Sequence, residues 1–163
     1  GPFYCPADNS IYIDPQFYDV MATQLRAPGD FAQAYVIAHE VAHHVQNLNG
    51  VLRQVHRAKG GASELQSNRL TVRVELQADC FSGVWARRTD EKHQVLERGD
   101  LREALRAAYQ VGDDVLMRMG GQRVDERKFT HGSAEQRSRW FQTGFESGDL
   151  RACDTFNQPY EAL

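Results

Sequence analysis

The stretch Ala38-His39-Glu40-Val41-Ala42-His43-His44 decides how the rest of this 163-residue sequence is read. It lies in a run from Phe31 to Leu48 whose apolar residues cover most of a helical circumference, so the spacing predicts one central, largely buried helix over about residues 31–48. On such a helix His39 and His43, four apart, share a face, and Glu40 stands beside the first. Two imidazoles at that spacing suit a zinc ion, with the adjacent carboxylate in reach of its water. An idle acid on a buried helix is costly to desolvate, which argues that Glu40 has work to do. His44 is rotated by about 100° from His43 and falls outside the shared face. It reads as a core or surface histidine.

Working outward, Phe3 to Cys5 and Ser10 to Ile13 flank Pro6-Ala7-Asp8-Asn9 and read as a small hairpin over about residues 3–13, which must lie against helices to be stable. Asp14-Pro15 opens a first helix that Pro28-Gly29 ends. Four capping boxes are written in the sequence: Asp30 with Gln33, Ser63 with Gln66, Asp100 with Glu103 and Ser133 with Gln136. They predict the starts of the central helix, a long helix over about 64–88, a helix weakening at Gly112, and a helix through Trp140 and Phe145 ending near Gly148. A shorter helix, about Val51 to Ala58, fills the gap before Gly60-Gly61. Met119 to Lys128 reads as loop, and the tail from Asp149 to Leu163 as irregular. The expected architecture is mainly α (α+β): one domain over residues 1–163, helical, with a small N-terminal β-hairpin.

Nineteen basic residues are dispersed among 22 acidic ones, so no basic tract marks this chain for nucleic acid. No apolar run is long enough to cross a bilayer, and no signal-peptide pattern opens the chain. It begins on Gly1-Pro2-Phe3-Tyr4-Cys5-Pro6 without a methionine, so a preceding segment is expected. Cys5, Cys80 and Cys153 allow one disulfide and leave one thiol, with no Cys-x-x-Cys for a cysteine metal site.

A hydrolytic zinc needs three protein ligands and an open position, so His39 and His43 require a partner from elsewhere. Glu75 and Asp79 interrupt the most apolar part of the long helix, one turn apart, where unpaired carboxylates would be expensive. The economical assignment makes Glu75 the third ligand and Asp79 the acceptor of a ligand histidine's second ring proton. The competing assignment pairs both acids with Arg69, Arg73 or another arginine as an ion network. His131, in Thr130-His131-Gly132-Ser133 just ahead of a helix N-terminus, sits in positive potential that favours a neutral, proton-donating imidazole. It is a candidate donor to a tetrahedral oxyanion, equally readable as a turn histidine bonded to backbone. Tyr12 and Tyr109 are alternative donors, and His56 and His93 read as surface residues.

The stretches Gly1 to Pro6, Tyr12-Ile13-Asp14, His39 to Gln46, Val74 to Cys80 and Thr130 to Arg137 together resemble the bacterial YpfJ-like neutral zinc metallopeptidase family. The resemblance implies a zincin-like domain of the gluzincin type holding one Zn²⁺ through His39, His43 and Glu75, with Asp79 behind them and His131 opposite the metal. It implies peptide or protein substrates, hydrolysed by a zinc-bound water that Glu40 activates. It further implies an N-terminal membrane anchor ahead of the Gly1-Pro2 stretch and a catalytic domain outside the cytoplasm. Analogy to other zincins makes the hairpin an edge for an extended peptide. Gly112 to Met117 keeps only part of the family's pattern, and the tail after Asp154 matches weakly. Two other readings stand beside this one: a catalytically inactive zinc-binding module with a scaffolding or regulatory role, and a metal-free helical interaction domain.

Overall fold

The computed structural model describes residues 1–163 as a mainly α domain with one two-stranded sheet. Strands β1 (Phe3–Cys5) and β2 (Ser10–Tyr12) pair antiparallel, with Tyr4 opposite Ile11. Seven helices follow: α1 (Pro15–Thr23), α2 (Asp30–Leu48), α3 (Val51–Lys59), α4 (Glu64–His93), α5 (Asp100–Gln110), α6 (Asp113–Met119) and α7 (Ala134–Ser147). None is long and apolar enough to cross a membrane.

The buried centre is α4 rather than α2. Helix α4 carries 11 buried residues and α2 carries eight. Ile37, Val41 and Leu48 of α2 stay exposed on the side away from His39 and His43. With Phe81, Trp85 and Leu150, the first two line an apolar surface groove, which explains how α2 can be apolar all round without being enclosed. Two cores flank α4: one gathers Tyr35, Ala86, Ala104, Ala108 and Phe141, the other Val72, Leu76, Cys80, Trp140 and Cys153. The crossing of α4 with α7 depends on two glycines. A Cβ at Gly83 would strike the Phe141 carbonyl oxygen, and one at Gly144 would strike that of Cys80. Only hydrogen side chains permit backbones to approach so closely.

Two of the four expected capping boxes form, at Ser63–Gln66 and Ser133–Gln136. The Asp30 and Asp100 boxes do not, because Gly29 and Gly99, at φ 119° and 102°, take the cap positions and move both aspartates into the first helical turn. The Glu103 carboxylate instead accepts from the Phe31 N–H at 3.3 Å, capping α2 from across α5. Helix α1 stops at Thr23, earlier than Pro28-Gly29, as the chain turns Leu25 and Ala27 into the core. Helix α4 runs five residues past the expected end, to His93. Helix α6 occupies a stretch the sequence pattern leaves as a weakened helix end.

The tail is irregular, with two short 3₁₀ turns, but it is firmly docked. Cys153 is disulfide-bonded to Cys80, leaving Cys5 as the free thiol, and Thr155 and Leu163 are buried. Closing a loop of 73 residues stabilises the fold by roughly 2–4 kcal/mol.

Candidate metal centre

Helices α2 and α4 pack so that three side chains converge. His39 Nε2 lies 3.0 Å from Glu75 Oε2, and His43 Nε2 lies 3.5 Å from Glu75 Oε1. One ligand atom from each of the three side chains falls within 4.8 Å of the other two. A tetrahedral zinc with ligands at about 2.0–2.2 Å sets ligand–ligand edges of about 3.3–3.6 Å, so the donor set and its spacing suit that ion. Asp30, Asp100 and Glu103 also approach one another, at the starts of α2 and α5, but they are all carboxylates and Glu103 already caps Phe31.

Each histidine is held from behind. His39 Nδ1 donates to Asp79 Oδ1 at 2.8 Å when Nε2 is the free nitrogen. Asp79 is fully buried and receives three further bonds: Tyr35 OH to Oδ1 at 2.6 Å, Arg137 Nη2 to Oδ1 at 3.1 Å and Arg137 Nε to Oδ2 at 2.8 Å. Arg137 also donates to the Val111 carbonyl at 3.1 Å. The counter-ion of Asp79 is therefore Arg137 on α7, not Arg69, which pairs with Glu161, nor Arg73, which donates to the Thr155 and Gln158 carbonyls. His43 Nδ1 faces Gln46 Oε1 at 2.9 Å. The Gln46 amide in turn donates to the Val74 carbonyl and to Gln77 Oε1, and Gln77 donates to the Cys153 carbonyl. Pinning the far nitrogen of each ring fixes its tautomer and aims Nε2 at Glu75.

The buried acids Glu75 and Asp79 make this site electronegative. Burial opposes ionisation of Asp79, but Arg137 and His39 hold its carboxyl down at about 2. Burial likewise opposes a charged His39, and Asp79 and Glu75 outweigh it, lifting the imidazole to about 10. Glu75 is pulled well below the usual carboxylate value, His43 and His39 overcoming its desolvation. Glu40 moves the other way: burial raises it, only partly offset by His39, His43 and the Tyr4 backbone N–H. A raised carboxyl beside an open cleft suits an acid–base group.

These residues form one face of a cleft of about 730 Å³, lined by His39, Glu40, His43, Glu75, Arg137 and His131 among others. His131 thus shares the cavity with the metal-type cluster, while Tyr12 and Tyr109 do not line it. The helix N-terminus is not the only charge acting on His131. Asp113 Oδ1 lies 3.4 Å from its Nδ1, Thr130 Oγ1 lies 2.9 Å away, and the ring is half-exposed. Asp113 Oδ2 also accepts from the backbone N–H groups of Thr130, His131 and Gly132, fastening this turn to α6.

Strand β1 borders the cleft, but its edge is poorly equipped for strand addition. The Tyr4 N–H faces Glu40, and the residues two positions away on the same edge, Pro2 and Pro6, have no N–H. His44 is not idle: its Nδ1 meets the Tyr4 hydroxyl at 3.0 Å, and with Asn47 Nδ2, 2.9 Å from that hydroxyl, it ties the hairpin to α2. His56 and His93 are exposed.

The profile of the family described as "Putative neutral zinc metallopeptidase" matches residues 1–156. The chain belongs to this family. Its relatives include the uncharacterized protein YpfJ of Escherichia coli, 54% identical over 158 residues, covering 97% of this chain and 55% of that protein. The uncharacterized protein Rv2575 of Mycobacterium tuberculosis is 43% identical over 167 residues, covering 96% of this chain and again 55% of the relative. The chain therefore spans about half the length of these relatives. No solved structure matches it.

Four residues that hold the cluster and its neighbouring turn in place, Gln46, Tyr35, Arg137 and Asp113, are not singled out by the sequence pattern. Gln46 carries a local signal, standing three residues after His43 on the same helix. Tyr35, Arg137 and Asp113 carry none, because their partners lie 44, 58 and 18 residues away.

Proposed function

We propose that this chain is a zinc-dependent metallopeptidase, with His39, His43 and Glu75 as the ligands of one Zn²⁺ and Glu40 as the acid–base residue. The observation that carries the reading is the convergence of His39 Nε2, His43 Nε2 and the Glu75 carboxylate on one face of a cleft that Glu40 also lines. Bound there, zinc would supply a Lewis acid for the scissile carbonyl and would make water acidic enough to lose a proton near neutral pH. Glu40, its carboxyl raised by burial, would take that proton and later return it to the leaving nitrogen. Asp79, held by Arg137 and Tyr35, keeps His39 in the ligating tautomer, and Gln46 does the same for His43. His131 faces the same cleft and donates to the oxyanion that develops on the substrate carbonyl. The substrates are peptides or proteins, as family membership supports. The Cys80–Cys153 disulfide supports a working location outside the reducing cytoplasm.

Glu40→Gln tests the reading. The variant retains zinc at wild-type stoichiometry and loses peptide hydrolysis by about 10²- to 10⁴-fold. Hydrolysis at the wild-type rate would remove Glu40 from the mechanism, and a zinc-loaded wild type that cuts no peptide would reduce the chain to a zinc-binding scaffold.

A further inference from the structure

The cleft over the His39–His43–Glu75 cluster has a lining drawn from distant parts of the chain. Phe3 and Phe17, from the hairpin and α1, and Leu116 and Met119 of α6 all line it. Phe3, Leu116 and Met119 are 53%, 43% and 52% exposed, so these apolar side chains face the opening instead of filling either core. Every charged side chain lining the cleft is already engaged. Glu40 and Glu75 belong to the cluster, Arg137 is committed to Asp79, Tyr35 and the Val111 carbonyl, and His131 sits against Asp113. No lysine, no other arginine and no other acid borders this space. A charged side chain entering it would shed water without meeting a counter-ion, whereas an apolar one would cover Phe3, Leu116 and Met119.

We infer that the cleft selects substrates with a large apolar side chain, of the leucine or phenylalanine class, beside the scissile bond, and that Leu116 and Met119 are the residues that set this choice. The inference rests on the peptidase reading above and adds its substrate class. The α6 wall is held in register with the metal cluster. Gly112 lies so close to the start of α7 that a Cβ would strike the Ala134 backbone, Asp114 accepts from the Ala134 N–H at 2.7 Å, and Asp113 fastens the His131 turn. The selecting surface and His131 therefore share one support.

The test measures binding of three peptides, identical except for a central Leu-Leu, Asp-Asp or Lys-Lys pair, to the zinc-loaded Glu40→Gln chain. The Leu-Leu peptide is expected to bind on the order of a hundredfold more tightly than either charged one. Leu116→Lys, at an exposed position, should weaken Leu-Leu binding and strengthen Asp-Asp binding by roughly tenfold each, a gain that a merely damaged wall cannot produce. Equal binding of the three peptides, or no binding of the Leu-Leu peptide, overturns the inference. A zinc-loaded wild type that binds the Leu-Leu peptide and leaves it uncut supports the apolar selectivity and overturns the peptidase reading instead.

Discussion

Asp79 and Asp113 each face a histidine, and the two pairs are built for different ends. Asp79 lies 2.8 Å from His39 Nδ1, fully buried, with Arg137 and Tyr35 occupying the rest of its carboxylate. Asp113 lies 3.4 Å from His131 Nδ1 at the rim, and its other oxygen accepts three backbone N–H groups. The first acid spends its hydrogen bonds on side chains, so it fixes the direction of one imidazole. The second spends them on backbone, so it fixes the path of a turn and leaves its imidazole half-exposed. The same two residue types thus make a rigid mount for an imidazole in one place and a loop anchor in the other. Burial and the presence of Arg137 decide which.

The largest effect should come from breaking the buried pair on its cationic side. Arg137→Met strips the buried Asp79 of its guanidinium, leaving only His39 and Tyr35 against it, and should destabilise the fold by about 3–5 kcal/mol, read as a lower thermal midpoint. The exposed pair has no equivalent vulnerability. Next in size is Asp79→Asn, which puts an amide where Arg137 donates and weakens the grip on His39. Zinc affinity should fall by about 10- to 100-fold in a competition titration, whereas Asp113→Asn should leave it within about twofold. Equal losses in the two variants would erase the distinction drawn here.

The smallest effect belongs to the turn. Asp113→Ala should cost about 1 kcal/mol at neutral pH, since three backbone donors lose their acceptor. Burial opposes ionisation of Asp113, but the His131 side chain and the turn's backbone N–H groups hold its carboxyl below the usual value of 3.8. A carboxyl lowered in the folded state contributes stability that is fully present above the unfolded value and is lost as the pH falls through the folded one. The stability gap between wild type and Asp113→Ala should therefore be constant near neutrality and close below about pH 4 in denaturant titrations.

The same contrast explains what could be read in the chain before it folds. His39, Glu40 and His43 are legible because a single helix brings them together, and Glu75 and Asp79 because acids in an apolar helix demand a partner. Arg137 and Tyr35 are silent in sequence, since the role of Arg137 depends on how α7 crosses α4, a geometry set by Gly83 and Gly144, and that of Tyr35 on how α2 packs against α4. Two capping boxes failed where a glycine could take the cap position in a backbone conformation closed to other residues. The burial of α2 is one-sided, because apolar residues all round a helix do not say which side the rest of the chain will cover. Disulfide pairing was open among three cysteines until the tail's docking brought Cys153 to Cys80.

Zinc titration of the wild type against Glu75→Ala tests the central claim most directly. The account predicts one zinc per wild-type chain and a loss of at least about 100-fold in affinity on removing Glu75, with helical content unchanged. A Glu75→Ala chain that binds one zinc as tightly as wild type would contradict it.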